Sequence, residues 1–188
     1  MLRGDCSIRT EGYGFSAEEI DACARRQELL LLELELSDSS QCNCPTCHDG
    51  APQAVLSVDE TRRLIDQAKS LGCRRVILVG GEQISHLKEV ISHCRSADLT
   101  VELFLNHLRL DTAFLEFLKN KNVLLSLEST VPVQPELLEP LRGHLSAIRI
   151  AATGDNLNRI PDAWRWARTH GIEPHVQIIT PRHFCGAA

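Results

Sequence analysis

The sequence is poor in aromatic residues and has no long uninterrupted apolar run. Phe, Trp and Tyr together make up 4% of its 188 residues, and no apolar stretch approaches the roughly 20 residues that a membrane-spanning helix needs. An excess of basic residues is also lacking, because the formal net charge is -5 and the pI is about 5.9. We therefore expect neither a membrane partner nor general nucleic-acid binding.

Secretion is also not expected. Met1 to Cys6 contain no apolar core of the kind that secretory signals have. Eight cysteines could suggest a secreted disulfide scaffold, but several lie in predicted helices and the chain is not small. A cytoplasmic protein fits better, in which five scattered cysteines are plain thiols: Cys6, Cys23, Cys73, Cys94 and Cys185.

The other three cysteines fall within six residues of one another and follow an apolar run, Leu29 to Leu36. Thiolates this close together pair poorly into disulfides but can all face one soft metal centre. The spacing C-x-C-x-x-C of Cys42, Cys44 and Cys47 fits an iron–sulfur cluster or part of a zinc site, for instance with His48. Because structural zinc usually takes two separated pairs and no second C-x-x-C is present, a cluster with three thiolates and one open iron is the better interpretation.

Short apolar segments alternate with helical patterns along the chain. The expected organisation is an N-terminal arm and short helix over residues 1–28, followed by one αβ domain over residues 29–188. Six strands are predicted: Leu29 to Leu36, Val76 to Val79, Val101 to Asn106, Val123 to Glu128, Ala147 to Ala152, and about His175 to Thr180.

Capping residues and glycines mark the predicted helices between these strands. Ser16 begins a helix that runs to Arg26, Ser57 and Glu60 form a capping box, Asp111 caps a third helix, and Pro161 begins a last one. A short helix is also expected around Glu136 to Leu141. The predicted buried faces are Leu64, Ile65, Ala68 and Leu71 before Gly72; Ile84, Leu87, Ile91 and Cys94; Phe114, Phe117 and Leu118; and Trp164 and Ala167 before Gly171.

Polar residues recur at every second position of the predicted strands. Strands covered by helices on both faces are almost continuously apolar, whereas here five of the six strands have a polar face: Glu33 and Glu35, Glu102 and Asn106, Ser126 and Glu128, Arg149, and His175 and Gln177. This favours a TIM-like partial (βα)6 barrel of parallel strands with a wet lumen over a doubly wound open sheet. Since the chain ends eight residues after the sixth strand, we expect the last helix to be missing or the barrel to be open on one side.

The cysteine segment resembles the first strand and cluster loop of the radical S-adenosylmethionine family, which typically reads E-L-T-x-x-C-N-x-x-C-P-x-C. Cys44-Pro45-Thr46-Cys47 matches the second and third cluster cysteines, and Glu35-Leu36-Ser37 matches the end of the strand. Gly80-Gly81-Glu82 then follows the next predicted strand, where the family carries a G-G-E motif. The likeness extends more loosely to about residue 180.

This resemblance implies an enzyme that binds a [4Fe–4S] cluster and S-adenosylmethionine, and cleaves the latter to a 5′-deoxyadenosyl radical that abstracts hydrogen from a substrate. It also implies an electron donor such as flavodoxin or ferredoxin; the sequence does not specify the substrate. The implied cluster ligands are Cys42, Cys44 and Cys47, and the implied cofactor-binding residues are Gly80, Gly81, Glu82, Asn106, Ser126 and Glu128.

The sequence departs from the family pattern at Ser40, which stands where the first cluster cysteine is expected. A serine hydroxyl is a poor iron ligand because it is hard and rarely ionised, so Cys42 would have to supply the third thiolate. Thr46 and Gln83 also replace residues common in the family. Two alternatives therefore stay open: a non-catalytic barrel that has lost the cluster, and a zinc-binding module.

Overall fold

A computed structural model describes residues 15–36, 56–79, 86–105, 111–129, 141, 144–152 and 156–178. Strands and helices alternate along these segments, and a 3-10 turn, Leu157–Arg159, precedes the last helix. The elements are α1 Ala17–Arg26, β1 Leu31–Glu35, α2 Val58–Ser70, β2 Arg75–Val79, α3 Leu87–Ser96, β3 Thr100–Leu105, α4 Thr112–Asn120, β4 Leu124–Ser129, β5 Leu145–Ala152, α5 Ile160–Thr169 and β6 Glu173–Ile178.

The six strands form one parallel sheet in the order β1-β2-β3-β4-β5-β6. A doubly wound sheet reverses its strand order near the middle, and its helices cover both faces. Sequential order with right-handed crossovers instead puts every connecting helix on the same face. The prediction of a partial TIM-like barrel wall is therefore confirmed, with β1 and β6 as the edges of the described sheet.

Residue alternation separates the sheet into an apolar face and a polar face. Because paired residues of parallel strands point to the same side, Leu34 of β1, Leu78 of β2 and Leu103 of β3 form one row. This row continues through Leu125 and packs with buried residues of α2, α3 and α4 in a single core. The helices therefore cover the leucine face, and the other face is left to the lumen.

The predicted helix starts are present. Ser16 and Glu19 form a capping box at α1, and Ser57 and Glu60 form another at α2, each side chain bonding the other residue's backbone N–H. The Asp111 carboxylate accepts a hydrogen bond from the Phe114 N–H at 2.7 Å and caps α4. These contacts satisfy N–H groups that have no partner inside the helix.

Two of the predicted helix faces are partly wrong. Leu64 and Leu71 are exposed, the latter by 58%, because α2 contacts the sheet along a narrower stripe of Thr61, Ile65 and Ala68. The predicted burial of Trp164 in α5 is also wrong, since Trp164 is 41% exposed. Trp166 packs against the core beside Ala167 instead, and its ring stacks on that of His170.

Other boundaries shift slightly. β5 begins at Leu145 because the pairing with β4 slips by one residue next to Ser126, and β6 begins at Glu173. Of the helix predicted around Glu136 to Leu141, only Leu141 lies among the described residues, and it is buried. None of the described helices is long and apolar enough to cross a membrane.

Gly72 and Gly171 provide a matched test of the turns that lead from α2 to β2 and from α5 to β6. Both have positive φ, +92° and +71°, so alanine at either position adopts a left-handed backbone at a cost of about 1 kcal/mol. At Gly72 an added Cβ would also lie 2.8 Å from the Glu28 Cβ, whereas the space at Gly171 is open. We expect Gly72→Ala to lower the free energy of unfolding by about 2–4 kcal/mol and Gly171→Ala by about 1 kcal/mol in urea titrations. Equal losses would contradict the close approach of Glu28.

Candidate functional site

The lumen face of the sheet carries the polar side chains that alternate with the buried leucines. One row of residues on this face crosses three strands: Glu33 of β1 pairs in register with Ile77 of β2, which pairs with Glu102 of β3. Glu33 and Glu35 are exposed, whereas Glu102 is nearly buried, with 13% of its side chain accessible. The polar side chains that the sequence predicted on this face are therefore present, and its acidic groups differ in their access to solvent.

Glu102 joins two side chains from neighbouring strands. The Ser126 hydroxyl of β4 donates a hydrogen bond to Glu102 Oε1 at 2.5 Å, and Arg75 Nη1 of β2 lies 3.8 Å from Glu102 Oε2. Ser126 is 3% exposed, and the Arg75 side chain is 14% exposed. The three residues form a network across β2, β3 and β4 that is largely shielded from water, where such contacts are stronger than at a surface.

A second contact lies nearer the carboxyl ends of the strands. The Arg149 guanidinium of β5 lies over the buried ring of Phe104, 4.2 Å from its centroid. Stacking of this kind uses the flat face of the guanidinium and leaves the N–H groups at its edge free to bind an anion. Arg149 makes no ion pair or hydrogen bond with another described side chain, and its register partners are Glu128 and His175.

Phe15, two residues before α1, lies at the opposite end of the lumen. Arg75 is the first residue of β2, and its guanidinium carbon lies 5.4 Å from the centroid of the Phe15 ring. Glu19 of α1 also pairs with Arg74, at 3.7 Å. These contacts put α1 at the amino ends of the strands, so a ligand would enter from the carboxyl ends, where active sites of αβ barrels lie.

Of the predicted site residues, only Ser126 is described in full. The backbone of Glu128 lies on β4 in register with Arg149, but the structure does not describe the Glu128 side chain. The remaining predicted residues lie outside the described segments: Cys42, Cys44, Cys47, Gly80, Gly81, Glu82 and Asn106. Within the segments that are described, no group of three or more His, Cys, Asp or Glu could hold a metal ion.

The strands that lead into these segments are neighbours. The Leu36 N–H, at the end of β1, donates a hydrogen bond to the Val79 carbonyl, at the end of β2. The cysteine segment follows Leu36 and the G-G-E motif follows Val79. The strand ends that precede the two motifs are therefore adjacent at the carboxyl edge of the sheet.

Sequence reasoning missed the contacts of Glu102 and Phe104. Period-two alternation put Glu102 on the polar face, but nothing in the sequence pairs it with Ser126 or Arg75, which are 24 and 27 positions away. Phe104 reads as an ordinary apolar strand residue. Only the register between β2, β3, β4 and β5 brings these side chains together.

Three cysteines predicted to be plain thiols are free and buried: Cys23, Cys73 and Cys94. The Cys23 thiol donates to the Glu28 carbonyl at 3.0 Å, and the Cys73 thiol donates to the Arg75 carbonyl at 3.1 Å. Burial raises the pKa of Cys73 and raises that of Cys94 to about 12. Cys6 and Cys185 lie outside the described residues.

Solved structures of low sequence identity share this fold. Streptococcus suis SuiB bound to S-adenosylmethionine aligns with a TM-score of 0.64 and 15% identity over 89% of this chain and 44% of its own. SuiB bound to precursor peptide SuiA gives 0.62 and 16% over 86% and 42%. The structure of anSMEcpe with bound AdoMet and Cp18Cys peptide gives 0.61 and 13% over 80% and 50%. These neighbours are radical S-adenosylmethionine enzymes.

The comparisons show that the chain shares its fold with these neighbours. The chain spans half or less of the length of these neighbours. No family model and no curated protein matches its sequence.

The buried thiols should be protected from alkylation in the folded protein. The thiolate is the reactive form, and the raised pKa values of Cys73 and Cys94 keep both protonated at pH 8. We expect iodoacetamide to label these two residues only after unfolding in urea, as read by mass spectrometry of peptides. Equal labelling rates in native and unfolded protein would contradict their burial.

Proposed function

We propose that the chain is the core of a radical S-adenosylmethionine enzyme. Cys42, Cys44 and Cys47 would bind a [4Fe–4S] cluster, and Gly80, Gly81 and Glu82 would bind the methionine end of the cofactor. Asn106, Ser126 and Glu128 would contribute further contacts from β3 and β4. The chain spans half or less of the length of its structural neighbours. We therefore also propose, rather than state as shown, that it acts on a substrate and receives electrons from a donor such as flavodoxin or ferredoxin.

One observation carries it: the cysteine segment and the G-G-E motif follow adjacent parallel strands of a barrel whose solved neighbours include one bound to S-adenosylmethionine. Cys42 comes six residues after Leu36, and Glu82 comes three residues after Val79. The motifs alone are short and occur by chance. Their shared edge of the sheet is what supports a common ligand.

The side chains present suit the two groups. Three thiols are soft ligands for iron, and three thiolates leave one iron of a [4Fe–4S] cluster open to an amino acid chelate. When bound, the cluster supplies the electron that cleaves a carbon–sulfur bond of the cofactor. The glycines permit close approach of a ligand to the backbone, and the Glu82 carboxylate can accept hydrogen bonds from an ammonium group.

Arg149 is suited to the carboxylate of the cofactor. Its guanidinium is oriented by the Phe104 ring and has no anionic partner among the described side chains. The planar fork of a guanidinium matches a carboxylate with two parallel hydrogen bonds. Arg149 would thus hold the negative group of the methionine end, while Glu82 would accept from its ammonium group.

Replacing Arg149 tests this assignment. We expect Arg149→Met, which keeps the contact with Phe104 but removes the charge, to weaken binding of S-adenosylmethionine to the reconstituted protein roughly tenfold or more, the size of a charged hydrogen bond. Arg165→Met on the exposed surface of α5 is the control and should bind normally. Unchanged affinity in Arg149→Met, measured by equilibrium dialysis, would remove Arg149 from the site.

Metal content tests the proposal as a whole. After anaerobic reconstitution we expect about four iron and four sulfide per chain, with both lost in Cys44→Ala and in Cys42→Ala. Cys94→Ala, which removes a buried thiol behind the sheet, should keep its iron. If only Cys44→Ala and Cys47→Ala lose iron, Cys42 is not the third ligand.

Ser40 supports the alternative of a barrel without a cluster, because it removes the thiolate that the family pattern requires at this position. Iron and sulfide absent from the wild-type protein but present in Ser40→Cys would establish that alternative. Stoichiometric zinc in place of iron would identify a zinc-binding module instead.

A further inference from the structure

Exposed apolar side chains concentrate around α5 and β6. Five large apolar residues of the described segments are exposed, and three of them belong to the turn before α5, to α5 itself and to β6: Leu157, Trp164 and Val176. The other two, Leu64 and Leu71, lie on or directly after α2. A single exposed leucine is ordinary on a protein surface, but apolar residues that gather in one place indicate a surface that another molecule covers.

The two tryptophans of α5 point to opposite flanks of the helix. Ala167 is fully buried and marks the line along which α5 contacts the sheet. Successive residues of an α-helix are rotated by about 100°, so Trp166 lies on one side of this line and Trp164 on the other. Trp166 packs against the core, whose described members include residues of β1 to β5 and none of β6. Trp164 therefore faces the β6 side of the helix.

Val176 extends this uncovered surface onto the sheet. It pairs in register with Ile150, and Pro174, two residues earlier, pairs with Ile148, which is buried in the core on the helix side. Val176 therefore lies on the helix-covered face, yet it is 42% exposed because β6 is an edge strand of the described sheet. Since Trp164 and Val176 stand near the middle of their elements, the flank of α5 and the outer face of β6 form one apolar surface.

The charge beside this surface is positive. Arg168 follows Trp164 by one helical turn on the same flank and makes no ion pair with a described side chain. Arg165 pairs with Asp162 at 3.0 Å, but both are so exposed that the pair contributes little. On a chain of net charge -5, this local excess of arginine favours an acidic partner. It disfavours a second copy of the same surface, in which arginines would face arginines.

We propose that the edge surface, formed by Trp164, Val176 and Arg168, binds an amphipathic helix of another protein that carries acidic residues beside its apolar stripe. A helix laid beside α5 would cover the outer face of β6 as α2, α3 and α4 cover the strands before it. Tryptophan and arginine are the side chains that most often anchor such interfaces. The surface lies on the opposite side of the sheet from the lumen, so binding there requires neither a cluster nor S-adenosylmethionine.

Two synthetic helical peptides test the inference on the unaltered protein. Both carry a leucine stripe at i, i+3, i+4 and i+7, flanked by glutamate in one peptide and by lysine in the other. We expect the glutamate peptide to bind about tenfold more tightly or better at low ionic strength, and the difference to shrink as salt screens the charges. Fluorescence anisotropy of dye-labelled peptides measures both affinities. Equal affinities, a preference for the lysine peptide, or no binding of either would overturn the inference.

Variants locate the bound peptide. Trp164→Ala should weaken binding of the glutamate peptide about tenfold or more, the size of an anchor residue, and Arg168→Glu should abolish the preference for glutamate. Leu71→Ala and Arg63→Glu are the matched controls, because both residues are exposed and belong to the α2 region. Both controls should bind as the wild type does. Affinity that survives Trp164→Ala, or that falls equally in the controls, would contradict binding at the edge surface.

Other occupants have their own signatures. A dimer in sedimentation that Trp164→Ala dissociates would assign the surface to a second copy of the chain. Binding to phosphatidylserine vesicles without binding of either peptide would assign it to a membrane. Either result overturns the inference. Thermal unfolding of each variant without peptide shows whether a loss of affinity is a loss of fold, and the comparison of the two peptides on the wild-type protein needs no variant.

Discussion

The whole arrangement depends on parallel strand pairing in which alternate side chains separate to two faces. Leucine and valine rows from successive strands align because paired residues point the same way, and burying these rows under α2, α3 and α4 is the dominant favourable term in folding. The polar residues between them are then forced to the lumen. A slip of one residue in β1 or β3 would bury their glutamates and expose their leucines.

The lumen network follows from this constraint. Glu102 and Ser126 belong to adjacent strands one register layer apart, and Arg75 begins the strand on the other side of Glu102. Since the apolar face fixes the register, it also fixes which polar groups meet. The side chains on the lumen face are thereby positioned by packing on the opposite side of the sheet.

The fold was readable from the sequence because its signals are local. Capping boxes at Ser16 and Ser57, the glycines after α2 and α5, and period-two alternation each act within a few residues, and together they predict the order of elements. Trp164 and Leu71 were misjudged because a helix's contact stripe depends on the neighbour against which it packs.

The site was only partly predictable. Alternation put Ser126 on the correct face, but its bond to Glu102 depends on the register between β3 and β4, which no single strand encodes. The stacking of Arg149 on Phe104 likewise joins residues 45 positions apart. The ligand roles of Cys42, Cys44, Cys47, Gly80, Gly81, Glu82 and Asn106 stay predictions because these residues lie outside the described segments.

The most direct test of the central claim is the EPR spectrum of the anaerobically reconstituted, reduced protein with and without S-adenosylmethionine. We predict a [4Fe–4S]⁺ signal that changes when S-adenosylmethionine is added, because three thiolates leave one iron open to the cofactor. A cluster signal that does not respond to the cofactor, or no cluster signal at all, would contradict the account. The barrel would then share the fold of these enzymes without their chemistry.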